Sequence, residues 1–163
     1  MRTICIYHSE TGNTHAVMEE LARNIGAELI RVRDLAEYGK ASMYLLGAPR
    51  ARMGALAEIE PEQIDLSGYD LVILGTPVWA FRPTPAANAI FRAIQNGSGK
   101  KAFIVCTSGG GPGDTLSIMA GHAAVLGMQV ISQHHIRFAG RGGTRDEEEI
   151  TALKRAVWDV ART

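Results

Sequence analysis

Only two cysteines occur in the 163-residue chain, so no disulfide framework holds it together and its stability has to come from a packed core. Both, Cys5 and Cys106, lie inside apolar runs, where a reduced thiol behaves as a small buried hydrophobe. A dominant charge is missing as well. Lys plus Arg and Asp plus Glu each number 17, which leaves no general field to attract nucleic acid or an anionic membrane surface. No apolar run reaches the roughly 20 residues that span a bilayer, which argues against membrane insertion. The first residues, Met1–Tyr7, enter a strand-like pattern without a cleavable leader, so a cytoplasmic setting is expected.

What is present is the ordinary material of a globular fold: 46% hydrophobic and 21% charged residues, in a length that suits a single domain over 1–163. Two periods alternate along it. Apolar, β-rich runs fall at Thr3–Tyr7, Leu29–Val32, Leu71–Leu74, Ala102–Cys106 and Val130–Ile136. Between them lie stripes of helical spacing, at Val17/Leu21/Ile25, Ala86/Ile90/Phe91/Ile94, Leu116/Met119/Ala123/Leu126 and Ile150/Leu153/Val157/Val160. A Thr144-x-x-Glu147 pattern predicts a capping box for the last of these. Strand–helix alternation predicts an α/β, doubly wound parallel sheet with helices on both faces. The connection from Asp34 to Gly68 is long, and helical pieces are expected near Ala41–Leu46 and Ala51–Ala57. A crossover covering one sheet face is the favoured reading. A lid or subunit contact, with Arg50 and Arg52 open to a partner, is the alternative.

In open α/β sheets, ligands collect beyond the carboxyl ends of the strands, where strand order reverses. Three segments leave such ends. Ser9-Glu10-Thr11-Gly12-Asn13-Thr14 follows the first strand and leads into a helix. Gly12 permits a tight turn, successive N–H groups at a helix N-terminus attract an anion, and Ser9, Thr11 and Thr14 add hydroxyls. The loop has no Lys and does not match the Gly-x-x-x-x-Gly-Lys nucleotide loop, so one phosphate monoester suits it better than a triphosphate. Gly75–Pro85 follows the third run and contains Pro77, Val78, Trp79, Ala80 and Phe81. Trp79 offers an apolar wall for a planar ligand, with a core indole as the equal alternative, and Phe81 reads more as packing than as contact. The segment after the fourth run carries Ser108, Gly109, Gly110 and Gly111, then Pro112 and Gly113. Bare backbone of this kind lets a ligand come close.

Together these segments resemble flavodoxin-like proteins. Ser9–Thr14 is similar to the flavodoxin phosphate loop, whose usual form is Ser/Thr-x-Thr-Gly-x-Thr, and the other two segments resemble the flavin-ring loops in the right order. The resemblance covers essentially the whole chain and implies a five-stranded sheet of order 2-1-3-4-5. It implies FMN as cofactor: Ser9, Glu10, Thr11, Gly12, Asn13 and Thr14 on the phosphate, Pro77, Val78, Trp79, Ala80 and Phe81 on one side of the ring, and Ser108, Gly109, Gly110 and Gly111 on the other. Electron-carrier flavodoxins are typically strongly acidic and carry an aromatic residue in the third loop; this chain is neutral and carries glycines there.

The resemblance therefore implies an FMN-binding electron-transfer protein working with a redox partner protein. An FMN-dependent NAD(P)H quinone or azo reductase is the first alternative, and a flavin-free interaction module on the same fold is the alternative of another class. Oligomers are compatible with either. Other chemistry finds less support. No Arg follows Cys5 at phosphatase-loop spacing, His134 and His135 lack metal-ligand spacing, and His8 reads as a hydrogen-bonded structural residue. The Asp146–Glu149 run reads as charge complementing a helix N-terminus.

Overall fold

A computed structural model describes residues 1–141 and 143–163. The chain begins with β1 (Thr3–His8), α1 (Asn13–Ile25) and β2 (Glu28–Asp34). It then passes through α2 (Lys40–Ser42), a π-helical turn (Met43–Gly47) and α3 (Ala48–Arg52), followed by β3 (Ile59–Glu60) and β4 (Ile64–Asp65). Next come β5 (Leu71–Trp79), β6 (Arg82–Pro83), α4 (Pro85–Ala93), β7 (Ile94–Gln95) and β8 (Lys101–Ser108). The chain closes with α5 (Thr115–Val125), β9 (Gln129–Ala139), β10 (Thr144–Arg145) and α6 (Glu147–Ala161). The main sheet runs β10-β9-β8-β5-β1-β2-β3. Its five long strands, all parallel, reproduce the expected 2-1-3-4-5 order.

Each central strand is buried on both sides, which is why its sequence is continuously apolar rather than alternating. Side chains on a strand point to opposite faces in turn. Ile4, Ile6, Val72, Leu74 and Ile104 therefore pack on α4 and α5 through Ile90, Phe91, Met119 and Ala123. Cys5, Tyr7, Ile73, Phe103 and Val105 pack on α1 and α6 through Val17, Leu21, Ile150, Leu153 and Val157. Two-residue strands close both sheet edges: β3 pairs antiparallel with β2, and β10 with β9. Short, covered edges of this sort discourage pairing with another chain.

Two local expectations change. The cap of α6 is Asp146, whose Oδ1 accepts the Glu149 N–H at 3.0 Å, and not Thr144. Thr144 is held in the β10–β9 ladder opposite Ala139 and cannot turn toward the helix. Glu147, Glu148 and Glu149 do occupy the first turn, as the dipole favours. In the long connection, helical structure runs from Lys40 to Arg52 and stops short of Ala57. Gly54 ends it at φ +68°, its N–H bonding to Ala51 O and that of Ala55 to Arg50 O, which satisfies carbonyls of the last turn. This segment buries Gly47 and Ala51 and roofs the end of β5, with Tyr44, Leu45, Leu46 and Met53 left exposed.

Candidate functional site

The order of strands reverses around β1, which has β2 on one side and β5 on the other. The ends of β1, β5 and β8 lie side by side there, since Tyr7 pairs with Gly75 and Pro77 with Thr107. Bonds between the loops lock them together. His8, 1% exposed, lies between Thr84 Oγ1 (2.8 Å from Nδ1) and Glu10 Oε2 (3.0 Å from Nε2). Thr14 Oγ1 meets Thr107 Oγ1 at 2.7 Å, and the Asp114 N–H donates to Phe81 O at 2.8 Å. His8 is thus a structural clamp, satisfied at both ring nitrogens.

The phosphate-loop candidate is a turn into a helix whose first N–H groups are open. Gly12 stands at the N-cap of α1 with φ +99°, a conformation that favours glycine, and itself supplies no capping side chain. Ser9 Oγ accepts the His15 N–H at 3.1 Å, and Arg31 donates to Ser9 O at 2.8 Å. Among the described residues, the N–H groups of Thr11, Gly12, Asn13 and Thr14 have no acceptor in the chain. Thr11 and Asn13 are exposed, whereas Thr14 is buried against Thr107. The hydroxyls of Ser9 and Thr14 thus face protein partners. Thr11 and the main chain are what the loop offers outward.

The second loop is a hairpin with a strained turn. β5 pairs with β6 through Val78–Pro83 and Trp79–Arg82, leaving Ala80 and Phe81 at the turn with φ +49° and +65°. Two-residue hairpins of this kind ordinarily use Gly or Asn. Such strain persists where surrounding contacts enforce it. Here the enforcing contact comes from Gly113: a Cβ there would lie 2.4 Å from both Phe81 Cβ and Phe81 O. Trp79 is only 8% exposed. Its indole stands edge-on to Tyr38 (centroids 5.2 Å apart) and to His8 (5.7 Å), with Gly47 packed against its ring. Phe81 is 64% exposed, so the aromatic facing outward is Phe81 and the roofed one is Trp79.

In the third loop, Ser108 Oγ lies 2.6 Å from His135 Nε2, and Arg137 donates to Gly109 O at 3.4 Å. Burial holds His135 below its ordinary pKa, partly offset by Asp146 and Glu149, which favours the neutral ring. Gly109, Gly110 and Gly111 have no positive φ. A Cβ on Gly110 or Gly111 would meet nothing within 4 Å, and one on Gly109 only Phe138 O at 3.5 Å. The chain's own packing does not require these glycines. A polar hollow of about 1100 Å³ adjoins the phosphate loop on the β2 side, reaching His8, Ser9, Glu10, Tyr38 and Glu60. No group of three or more His, Cys, Asp or Glu suited to a metal ion occurs among the described residues. Likewise no helix is long and apolar enough to cross a membrane.

Sequence reasoning missed the partners that hold these loops: Thr107 under Thr14, Thr84 on His8, Tyr38 on Trp79, and His15, whose Nδ1 lies 2.5 Å from Tyr7 OH. Only Gly113 carried a local signal, as the last glycine of its loop. His134 and Glu149 form a separate structural pair at 2.7 Å.

The five-strand order and the switch-point loops define the flavodoxin-like fold. Solved structures bear this out. A Bacteroides eggerthii protein provisionally named a flavoprotein is 20% identical with a TM-score of 0.75, covering 99% of this chain and 98% of its own. A Lactobacillus acidophilus flavoprotein solved in complex with FMN is 22% identical with a TM-score of 0.70, covering 82% and 92%. Megasphaera elsdenii flavodoxin is 16% identical with a TM-score of 0.60, covering 99% of each chain. No protein-family model and no curated protein sequence matches the chain.

Proposed function

We propose that the three loops bind FMN and that the protein transfers electrons through it. The observation that carries this is the run of N–H groups from Thr11 to Thr14, without acceptors among the described residues, at the N-terminus of α1. Such a terminus, with its positive dipole end, suits a phosphate. The residues fit the group elsewhere too. Thr11 adds an exposed hydroxyl, with Ser9, Glu10, Gly12, Asn13 and Thr14 shaping the cradle. Pro77, Val78, Ala80 and the exposed Phe81 form one wall for a planar ring, with the roofed Trp79 supporting it from beneath. Ser108, Gly109, Gly110 and Gly111 present main chain that a ring edge can approach, and among the described residues nothing lies within 3.4 Å of a Cβ built on any of the three glycines. The fold's FMN-bound relative in Lactobacillus acidophilus supports the choice of ligand. FMN supplies one- or two-electron redox chemistry; the protein's part is to bind it, orient it and shield it.

The chain's charge balance and the bare third loop favour a second reading, in which NAD(P)H reduces a quinone or azo acceptor through the same site. Open space over Gly110 and Gly111 leaves room for a second planar molecule. Mixing purified protein with FMN, followed by desalting and an absorbance spectrum, tests the binding claim. One oxidised flavin retained per chain is expected; a colourless protein would favour the flavin-free interaction module. Steady-state NAD(P)H consumption with a quinone then separates reductase from carrier.

A further inference from the structure

A cavity of about 630 Å³ lies between α4 and α5 and beneath the exit of α3, meeting the second loop only at Arg82 and Pro83. Its volume is that of a small-molecule site, and its composition resembles one: mostly apolar walls with a few placed polar groups. Phe91, Ile94, Ile118 and Leu126 supply the walls, and the largely exposed Val125 stands at the rim. No carboxylate lines it. Two guanidiniums do, Arg82 from β6 and Arg92 from α4, and neither has an ion pair or hydrogen bond among the described residues. Arg92 also borders the neighbouring hollow that holds Glu58 and Glu62, without ion-pairing to either.

Two further groups complete the lining. His122 packs at 5.2 Å from the Phe91 ring, and burial lowers its pKa, so it adds an uncharged polar edge. Asn88 is 6% exposed; its Nδ2 donates to Ala55 O across 3.3 Å, while its buried Oδ1 has no partner among the described residues.

We propose that this cavity binds an amphipathic organic carboxylate, with its apolar body between α4 and α5 and its anionic end at Arg82 and Arg92. The apolar walls provide binding that any hydrocarbon shares, and the unpaired guanidiniums select the anion. Octanoate and octan-1-ol separate the two contributions, because they share a chain and differ in the head group. With 1-anilinonaphthalene-8-sulfonate as the fluorescent reporter, octanoate should displace it at roughly tenfold lower concentration than octan-1-ol. Arg82→Gln with Arg92→Gln should remove that preference, and Ile118→Trp should fill the cavity and abolish displaceable reporter binding.

Titrations of octanoate into isotopically labelled wild-type protein give a readout that does not depend on the variants folding. Amide shifts should cluster at Phe91, Ile118 and His122 and persist in FMN-saturated protein. Equal displacement by acid and alcohol would overturn the proposal. Shifts confined to Ser9–Thr14, or abolished by FMN, would place the anion in the phosphate-loop cradle and also overturn it. The octanoate result without FMN stands whether or not FMN binds, so the two readings fail separately.

Discussion

Thr11 and Thr14 stand three residues apart, on either side of the Gly12 N-cap, yet their hydroxyls meet different surroundings. Thr14 is buried and paired with Thr107 at 2.7 Å, whereas Thr11 is exposed at the turn. Replacing Thr14 by Val strands the Thr107 hydroxyl in the core, which should cost about 1–3 kcal/mol in urea unfolding. Replacing Thr11 by Val should move stability by less than about 0.5 kcal/mol, as expected of an exposed change. The same change should weaken FMN binding roughly tenfold or more, the scale of one charge-assisted hydrogen bond. Unchanged FMN affinity in Thr11→Val, measured by flavin fluorescence titration, would remove Thr11 from the phosphate site. The hydroxyl, glycine and helix-start pattern of this loop was legible because it is local in sequence. Its committed partners were not, since Thr107 lies 93 residues from Thr14, and Thr84 lies 76 residues from His8.

At the scale of elements, the site depends on close approach between segments. A Cβ on Gly47 would lie 2.7 Å from the Trp79 ring, so the π-helical turn can roof the indole only as glycine. Gly47→Ala should cost about 1–3 kcal/mol, the range for overpacking, and should shift Trp79 fluorescence toward that of an exposed indole. An unaltered spectrum would mean that the roof is loose. The third loop offers a matched contrast. Gly113→Ala meets both a positive φ and the Phe81 backbone and should destabilise the fold, while Gly111→Ala meets open space and should leave unfolding unchanged. On the proposed function, Gly111→Ala should still weaken FMN binding. Equal melting curves for the two variants would contradict this account of the hairpin. The roof also explains what sequence could not reveal about the aromatics. Burial of Trp79 is decided by Tyr38 and Gly47, far away in the chain, and not by the loop's own composition. By contrast, the three central strands announced themselves, because burial on both sheet faces writes continuous apolar runs, and the helices did so by their stripes of helical spacing. Two-residue strands such as β10 carry no pattern of their own, and β10 is what displaced the expected cap at Thr144.

For the whole molecule, the core itself sets a pH limit. Burial raises the pKa of Cys5 and Cys106 from 9.0 to about 12, and mainly burial raises that of Tyr7 from 10.0 to about 12. Each group is neutral when folded and ionises more readily when unfolded. The stability they contribute is therefore complete below about pH 9 and is lost as pH rises toward about 12. Chemical unfolding between pH 8 and pH 11 should show a steady fall in stability, reduced in a Cys5→Ala, Cys106→Ala variant after allowance for its lower baseline. A flat profile would mean that these groups are not shielded as the structure places them.

On the proposed function, the main-chain N–H groups from Thr11 to Thr14 recognise the phosphate of a flavin mononucleotide. FMN and riboflavin differ only in that phosphate, so their affinities for the same apoprotein isolate its contribution. Fluorescence titrations of both ligands, side by side at one ionic strength, should give FMN binding at least about a hundredfold tighter than riboflavin binding, as expected of two or more charge-assisted bonds. Equal affinities, or no saturable binding of FMN, would contradict the account.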